Sequence, residues 1–357
     1  MAAAAERPKV AVEAPAGTLT GVAPLASDQW PAGAVIGARV TYTSTGVGGM
    51  PTTVTGRVFA PGLTPPAGGW PVLSYTHGTT GLGDSCAPSG NPPTLQERTV
   101  LGAYLRQGFA VVATDYAGLG GPGVHPYLDG PVAAYGAIDI VRAMHRLAPG
   151  LFAKWWAVAG LSQGGHAALF TGALATKYAP ELDFRGTVSV APPSNLTPIV
   201  SRLTPDTTIL PNLTMLFSYI LAGVQVAHPD LDLGSYLSPL GTSVVSDAQR
   251  LCNADQAART KGMTVGQFLG RPLDDRFAQA MGSTFDVPTA GYDHPVFIAQ
   301  SDADQVVPSF LTNQLVSALK ASAQPVTYRT YTGLSHVDTE TASLNEAISF
   351  LRSLTST

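Results

Sequence analysis

One pentapeptide in the chain has the residue types and the spacing of a serine nucleophile. Residues 160–164 read Gly-Leu-Ser-Gln-Gly, which fits the pattern Gly-x-Ser-x-Gly with Ser162 at its centre. An apolar, strand-like run precedes it and a helix-like run of small residues follows. A strand that turns directly into a helix exposes the serine at a strained apex, where only glycine avoids collision with the neighbouring backbone. The pattern alone is weak in a chain with 38 glycines, but this context favours a nucleophile over a solvent-exposed turn serine.

A serine hydroxyl needs a base to become a nucleophile, and the base needs a carboxylate that orients it. After a turn of this kind, the acid and then the histidine follow along the chain. The loop 300–308 offers Asp304, which we predict to be the acid, and Asp302, which is the reserve. Because aspartate is common in turns, its position rather than its type selects Asp304. Of seven histidines, His336 alone lies between the last predicted strand and the last predicted helix, and it is the predicted base.

Two backbone N–H groups are expected to bind the negative oxygen that forms in such a reaction. One belongs to Gln163, at the start of the helix that follows the serine. The other is expected from residues 77–81, His-Gly-Thr-Thr-Gly, which follow the third predicted strand. Thr79, or a neighbour in this loop, is the predicted donor. His77 is expected to pack beneath the site and not to act as a second base.

Composition limits the kind of protein. The chain has 357 residues, is 45% hydrophobic and has a mean hydropathy of +0.16, so it can bury a large core. Only 12% of the residues are charged and the net charge is −4, without a basic patch, which argues against a nucleic-acid partner. No uninterrupted apolar run is long enough to span a bilayer. The alanine-rich start is interpreted as that of a mature secreted chain, with a start methionine added after signal-peptide removal.

The chain has two cysteines, Cys86 and Cys252. Their wide separation is compatible with one disulfide or with two buried thiols, and the secreted character favours the disulfide. Neither cysteine has a second cysteine or a histidine at metal-binding spacing, so a zinc site is not expected.

Strand and helix patterns alternate along most of the chain, which predicts an α/β fold with a mostly parallel sheet flanked by helices. The predicted strands are 35–44, 52–59, 72–76, 109–114, the run before Gly160, 186–191, 295–300 and 326–331, and the predicted helices are 95–106, 132–147, 163–178, 309–319 and 337–354. Residues 1–34 are interpreted as an N-terminal arm. The sheet domain is predicted to comprise residues 35–191 and 290–357, with residues 192–289 inserted as a helical cap. A second, independently folded domain is the alternative for that insertion.

With these motifs in hand, the chain resembles the secretory lipase family of α/β-hydrolases, which contains the fungal lipase A enzymes and many actinobacterial lipases. The resemblance runs from about residue 35 to the end and rests on the surroundings of Asp304 and His336 and on residues 86–89, Cys-Ala-Pro-Ser, 115–120, Asp-Tyr-Ala-Gly-Leu-Gly, 125–128, His-Pro-Tyr-Leu, and 160–165, Gly-Leu-Ser-Gln-Gly-Gly. It implies a secreted enzyme that acts on carboxylic esters and has a helical cap after the sixth strand of its sheet. It also implies a disulfide from Cys86 into the cap, which fits Cys252. The chain departs from the fungal members at the oxyanion loop, where they carry an acidic residue.

The leading prediction is therefore a serine carboxylic-ester hydrolase of the lipase or esterase type that uses Ser162, His336 and Asp304 and needs no cofactor or metal. Its expected partner is a small-molecule ester or a lipid, with transient contact with a lipid interface. Acyl transfer to an alcohol and amide cleavage would use the same residues. A hydrolase fold that binds without catalysis is a further alternative. The sequence does not separate long-chain from short-chain substrates.

Overall fold

The structure is a computed structural model, and it describes residues 14–208 and 213–354. Residues 1–13 of the predicted N-terminal arm and residues 209–212 of the predicted cap lie outside the described residues.

A nine-stranded sheet lies at the centre of the described chain. Its strands are β1 (Leu19–Pro24), β2 (Ile36–Thr45), β3 (Pro51–Ala60), β4 (Trp70–Thr76), β5 (Ala110–Thr114), β6 (Phe152–Leu161), β7 (Asp183–Val190), β8 (Val296–Ser301) and β9 (Val326–Tyr331). Their order across the sheet is β1-β2-β3-β5-β4-β6-β7-β8-β9. The pairs from β1 to β5 are antiparallel and all pairs from β5 to β9 are parallel, so the predicted mostly parallel sheet is confirmed.

Helices bury both faces of the sheet. They are α1 (Leu95–Arg106), α2 (Gly130–Leu147), α3 (Gln163–Tyr178), α9 (Ser309–Ala321) and α10 (Asp338–Ser353). Neighbouring side chains of a strand point to opposite faces. Leu73 and Val111 accordingly pack with α1 and α10, whereas Val72 and Val112 pack with α2 and α3. Burial on both faces is why β5 is apolar at each position before Thr114 and does not alternate.

The parallel strands end at one edge of the sheet. Thr76 at the end of β4 pairs with Gly160 near the end of β6, and Val190 at the end of β7 pairs with Ala299 of β8. The loops that follow β4, β6, β8 and β9 therefore emerge at the same edge. These loops carry the residues predicted to do chemistry.

The inserted segment, residues 192–289, has an apolar core that it shares with the sheet domain. Its described residues form the helices α4 (Thr197–Val200), α5 (Thr214–Ala227), α6 (Pro239–Ala248), α7 (Asn253–Thr260) and α8 (Asp275–Phe285), and they include no strand. Phe217, Phe268 and Phe277 are buried in this core together with Tyr127 and Leu128 of the sheet domain. The inserted segment is thus packed against the sheet domain through apolar contacts.

A disulfide fastens the inserted segment to the loop after β4. Cys86 is bonded to Cys252, across 166 residues of sequence, and the predicted disulfide is confirmed. Next to it, Gly81 and Cys252 form an antiparallel bridge, and the backbone N–H of Asn253 donates to the carbonyl of Thr80 over 3.1 Å. The start of α7 is therefore held against the loop that was predicted to supply an oxyanion donor.

Strand β1 lies within the predicted N-terminal arm, and no pattern in the sequence predicts it. It pairs antiparallel with β2 at the edge of the sheet. Most of its residues are exposed, so it lacks the apolar alternation of a half-buried strand. Backbone hydrogen bonds to β2, a bond from the hydroxyl of Thr20 to the carbonyl of Thr41 and the partly buried Leu19 hold this strand, and they leave no periodic pattern in its side chains.

A buried carboxyl group lies where α10 crosses α1 and β4. Glu340 accepts hydrogen bonds from the hydroxyl of Tyr75 over 2.9 Å and from Nε2 of Gln96 over 2.8 Å. Burial, offset in part by these two hydrogen bonds, raises the pKa of Glu340 to about 7, and the nearby charge of Glu97 acts in the same direction as burial. Glu97 is itself paired with the buried Arg57.

We predict that Glu340→Gln flattens the dependence of stability on pH. An unfolded glutamate loses its proton near its usual pKa of about 4.3, whereas the folded protein holds the proton up to about pH 7. Between these values the folded state binds one more proton, so the free energy of unfolding falls as pH rises. Glutamine does not titrate, so the variant lacks this loss. Between pH 5 and 8 its free energy of unfolding should rise by on the order of 3 kcal/mol relative to that of wild type. Urea unfolding at each pH measures the gain, and parallel curves for the two proteins would contradict the assignment.

Candidate active site

Ser162 lies in the predicted strand–turn–helix junction. β6 ends at Leu161, α3 begins at Gln163, and Ser162 between them has φ 58° and ψ −122°, a strained backbone conformation for a residue with a side chain. The two glycines permit the turn. A Cβ atom at Gly160 would overlap with the hydroxyl of Thr76, and one at Gly164 would overlap with the Thr76 carbonyl.

Asp304 and His336 are brought together. Nδ1 of His336 donates to Oδ2 of Asp304 over 2.7 Å. Asp304 also accepts from Nε2 of Gln300 over 3.0 Å and from the backbone N–H groups of Val306 and Val307 over 2.8 and 2.9 Å. Burial by itself would raise the pKa of Asp304, but the hydrogen bond and charge of His336 and the two backbone donors outweigh it and lower that pKa. The carboxylate is therefore fixed in position and ionised, as a group that orients an imidazole must be.

Asp302 does not contact His336 but holds the loop that carries it. Its Oδ1 accepts from the backbone N–H of Gly333 over 2.8 Å. The hydroxyl of Ser301 lies 2.8 Å from the carbonyl and 3.1 Å from the N–H of Leu334. The end of β8 and the loop before α10 are thus joined by three hydrogen bonds, which fix the position of His336 relative to the end of β8.

Two cavities meet at Ser162. The larger has a volume of about 580 Å³, and its wall includes His336 and the oxyanion loop 77–80. The smaller has a volume of about 300 Å³ and an apolar wall drawn mainly from α4, α5 and the loop before α9. Nε2 of His336 is buried and has no hydrogen-bond partner among the described residues. His336 lies at the wall of the larger cavity, which Ser162 also lines.

The predicted oxyanion donors flank Ser162. Thr79 lies on the wall of the larger cavity, where its hydroxyl is 2.8 Å from the hydroxyl of Tyr127. Its carbonyl accepts from Nδ2 of Asn253 over 2.5 Å, so the inserted segment positions this loop. Gln163 opens α3, and N–H groups in the first turn of a helix have no partner within that helix. Its side chain, however, is turned away into the interior.

His125 holds that side chain, a contact that the sequence did not indicate. Nε2 of Gln163 lies 2.7 Å from Nε2 of His125, and Nδ1 of His125 lies 2.9 Å from the carbonyl of Ala117. Burial lowers the pKa of His125 to about 3, although the hydrogen bond to Ala117 opposes the shift. A neutral ring that donates to Ala117 through Nδ1 can accept from Gln163 through Nε2. The motif at residues 125–128 drew attention to His125 in the sequence, but it did not indicate that Gln163 is its partner.

The remaining histidines near the strand–turn–helix junction at Ser162 are structural. His77 is buried, with Nδ1 2.6 Å from the carbonyl of Gly78 and Nε2 3.3 Å from that of Asp115, as expected of a residue packed beneath the site. His166 is also buried, and its Nε2 lies 2.8 Å from the carbonyl of Phe285, which joins α3 to α8. In the described ranges, no group of three or more His, Cys, Asp or Glu side chains could hold a metal ion.

The overall structure is similar to those of two solved ester hydrolases. The rice cell wall degrading esterase LipA of Xanthomonas oryzae, in a ligand-bound form, matches with a TM-score of 0.75 and 19% identity over 95% of this chain and 98% of its own. Lipase A of Candida antarctica in its closed state matches with a TM-score of 0.75 and 18% identity over 95% of this chain and 82% of its own. At this level of identity the similarity shows the fold, and the chain has the α/β-hydrolase fold.

Sequence comparison extends the likeness to a family. A probable inactive lipase of Mycobacterium tuberculosis is 26% identical over 318 residues, which are 82% of this chain and 68% of that protein. The profile of the secretory lipase family matches residues 92–355. The family's name supports an extracellular location, and within residues 14–208 and 213–354 no helix is long and apolar enough to cross a membrane. The chain belongs to the secretory lipase family, and its family and fold together support a hydrolase function.

Proposed function

We propose that the protein is a serine carboxylic-ester hydrolase in which Ser162, His336 and Asp304 form the catalytic triad. One observation carries the proposal. The imidazole of His336 is oriented by Asp304 through Nδ1, while its unpartnered Nε2 lies at the wall of the cavity that Ser162 also lines. A hydroxyl, a base and an orienting carboxylate in this order are the components of nucleophilic acyl transfer.

In the first half of the reaction, Oγ of Ser162 attacks the ester carbonyl carbon and Nε2 of His336 takes the hydroxyl proton. The carbonyl oxygen becomes an oxyanion, which accepts hydrogen bonds from the backbone N–H groups of Gln163 and Thr79. The bond from the carbonyl carbon to the alkoxy oxygen then breaks. His336 gives its proton to the departing alcohol, and the acyl group stays on Ser162 as an ester.

In the second half, water takes the place of the alcohol. His336 removes a proton from water, the hydroxide adds to the acyl carbon, and Ser162 leaves with the proton that His336 returns. The net reaction consumes one ester and one water and yields one acid and one alcohol. An alcohol in place of this water would give acyl transfer, and an amide in place of the ester would give amidase activity. Both remain secondary candidates with the same residues.

The inserted segment is proposed to act as a cap that forms the acyl pocket. Leu216 and Phe217 of α5 line the smaller cavity, and the other described residues of its wall are apolar apart from Ser162 and Tyr127. An apolar cavity of about 300 Å³ suits a fatty acyl chain. An independent domain packed away from the site would not contribute to this wall.

The rim of the acyl pocket also offers a surface for lipid. Ile199 is 39% exposed and Phe310 is 51% exposed, and both line the apolar cavity. Exposed apolar side chains at the mouth of an apolar cavity can contact a lipid surface while an acyl chain enters. We include transient contact with a lipid interface in the proposal.

A hydrolase fold that binds ligands without catalysis is the alternative, and the relative in Mycobacterium tuberculosis is named a probable inactive lipase. The described chain has Ser162 in its strand–turn–helix junction and a histidine, His336, that Asp304 orients, and both features favour catalysis. Titration with a fluorophosphonate separates the two. Stoichiometric labelling of Ser162 within minutes supports the enzyme, whereas no labelling of the folded protein supports the binding role.

We predict that Ser162→Ala abolishes ester hydrolysis and leaves the fold intact. Alanine keeps the backbone of the turn and removes only the nucleophilic oxygen, and loss of a triad member typically costs about a million-fold in kcat. Release of nitrophenol from a nitrophenyl ester measures the loss, and a urea unfolding curve serves as the control for folding. Retention of a tenth of wild-type activity would exclude Ser162 as the nucleophile.

Asp304→Asn should lower kcat on the order of ten-thousand-fold, because asparagine cannot hold the imidazole in the same tautomer or stabilise its charged form. Asp302→Asn keeps an oxygen that can accept from Gly333, so we expect less than about a tenfold loss. Each substitution replaces one carboxylate oxygen of the wild-type side chain with an amide nitrogen, so the two variants serve as controls for one another. The reverse ranking would transfer the role to Asp302.

Leu216→Trp should narrow the acyl pocket and shift chain-length preference toward short acyl groups. A larger ring on α5 would occupy part of the smaller cavity, so kcat/KM should fall at least tenfold more for a nitrophenyl octanoate than for the acetate. Leu63→Trp, at a residue that is 75% exposed and outside both cavity walls, is the matched control. Equal effects on all chain lengths would mean that α5 does not form the acyl pocket.

A further inference from the structure

The hydroxyl of Thr79 is bonded across the boundary between the two cavities. Its Oγ1 lies 2.8 Å from the hydroxyl oxygen of Tyr127. Thr79 lines only the larger cavity, Tyr127 lines only the smaller one, and Ser162 lines both. The pair of hydroxyl groups therefore lies at the same boundary as Ser162, where the carbonyl of an ester would be attacked.

The loop that carries Thr79 passes beside Ser162 and is held in place. A Cβ atom built on Gly78 would be 3.9 Å from Cβ of Ser162, and Thr79 is the next residue. The carbonyl of Thr79 accepts from Nδ2 of Asn253 over 2.5 Å, and the carbonyl of Thr80 accepts from the N–H of Asn253 over 3.1 Å. Two consecutive carbonyl groups are thus fixed by one residue, which holds the backbone of Thr79.

The side chain of Tyr127 is fixed as well. Its ring centre lies 6.2 Å from that of His125 and 5.7 Å from that of Tyr219. On α5, a Cβ atom at Gly223 would overlap with the carbonyl of Tyr127, so the two backbones are in close contact. Burial raises the pKa of Tyr127 to about 12, although the hydrogen bond with Thr79 opposes the shift. The Tyr127 hydroxyl therefore keeps its proton at neutral pH.

The surroundings determine which hydroxyl donates to the other. Each hydroxyl has one proton, so the pair uses one and leaves one for another acceptor. If Thr79 donated, the unused proton would belong to Tyr127, which is buried among apolar side chains and has no other hydrogen-bond partner in the described chain. If Tyr127 donates, the unused proton belongs to Thr79 at the wall that Ser162 shares. Because a buried donor without an acceptor is costly, the second arrangement is favoured.

We propose that the hydroxyl of Thr79 is a third donor to the oxyanion, oriented by the hydrogen bond that it accepts from Tyr127. The proposal rests on the proposed ester hydrolysis and adds a catalytic side chain to it. When Ser162 attacks, the negative oxygen accepts from this hydroxyl as well as from the N–H groups of Gln163 and Thr79. The hydroxyl keeps its proton, so the balance of the reaction is unchanged. Tyr127 acts through Thr79 and is a positioning residue.

Thr79→Val tests the donor, because valine removes the hydroxyl with little change in shape and keeps the backbone N–H. A donor to the oxyanion acts in the transition state, so kcat for nitrophenyl butyrate should fall about a hundredfold while KM changes less than about threefold. Thr79→Ser keeps the hydroxyl, and its kcat should stay within about fivefold of wild type. Thr327→Val, the same substitution at an exposed position of β9, is the matched control.

Tyr127→Phe tests the positioning, because it removes only the hydroxyl that orients Thr79. We expect kcat to fall about tenfold in the wild-type background and not to fall further in Thr79→Val, where no hydroxyl is left to orient. Tyr328→Phe, which removes a hydroxyl bonded to Asn313, is the control. Losses that multiply in the double variant would mean that Tyr127 acts independently of Thr79, and they would overturn this part of the proposal.

An ester with sulfur in place of its carbonyl oxygen separates a donor from a structural support. Sulfur is a weak acceptor, so a hydrogen bond to the oxyanion favours the oxygen ester over the thiono ester. The ratio of kcat/KM for nitrophenyl butyrate to that for its thiono analogue should fall about tenfold in Thr79→Val and remain near the wild-type value in Thr79→Ser. Equal losses on both esters in Thr79→Val would show that Thr79 only supports the loop, and they would overturn its role as a donor.

Urea unfolding shows whether each variant is folded. If valine prevents folding, Thr79→Ala also lacks the hydroxyl and carries the same expectation. A folded Thr79→Val variant with kcat within about threefold of wild type would overturn the third donor and leave the proposed hydrolase intact. Failure of the wild-type protein to hydrolyse either ester would instead overturn the proposed function and the third donor together.

Discussion

The site depends on a close contact between the end of β4 and the start of α3. The hydroxyl of Thr76 lies 3.0 Å from the carbonyl of Ala159 and 2.8 Å from that of Gly164. The backbone of Thr76 is also so close to Gly164 that a Cβ atom there would overlap with the Thr76 carbonyl. Only glycine at positions 160 and 164 permits this approach. The contact fixes two features at once, because Ser162 lies between these glycines and the oxyanion loop continues directly from Thr76. A Cβ atom placed on Gly78 of that loop would be 3.9 Å from Cβ of Ser162. The strained backbone of Ser162 is thus held in place by the packing of β4 against the start of α3, which does not depend on a bound substrate.

A layer of buried polar residues supports this contact, and it explains motifs that the sequence showed without giving their role. Tyr116 has φ 69° and donates its hydroxyl to the carbonyl of His77 over 2.9 Å. Its ring stacks on that of His125, which in turn holds Gln163. Asp115 accepts from the N–H of Ser89 over 2.9 Å. The segments 86–89, 115–120 and 125–128 are therefore parts of one network that runs under the oxyanion loop. Networks of this kind are rigid only when each member is satisfied, which ties distant segments to the same geometry.

The sequence predicted the elements that are buried on a regular face and the residues whose place follows from topology. The predicted helix 95–106 and the predicted strand 326–331 coincide with α1 and β9. Ser162, Asp304 and His336 follow the ends of strands, as their order along the chain predicted. Periodicity could not reveal β1, whose side chains are mostly exposed. It could not show that His125 contacts Gln163 or that Glu340 accepts hydrogen bonds from Tyr75 and Gln96, because these contacts join residues far apart in sequence. The Cys86–Cys252 disulfide was predicted from the secreted character of a chain with two cysteines and from resemblance to a family, and not from spacing.

The positions of Ser162, Asp304 and His336 could be predicted from the sequence, whereas the walls of the two cavities could not. This difference has a physical cause and a functional consequence. The proposed catalytic residues follow strands whose positions are set by the hydrogen bonds of the sheet, so their geometry tolerates little change. The wall of the smaller cavity comes largely from the inserted segment. This segment meets the sheet domain through apolar contacts, one disulfide and hydrogen bonds that include those from Asn253 to Thr79 and between His166 and Phe285. Leu216 borders both cavities, and substitutions there alter their shapes without touching the sheet. Under the proposed function, substrate preference can therefore change through the inserted segment while the proposed nucleophile and base keep their places. The loop 77–81 is coupled to the start of α7 by the hydrogen bonds of Asn253.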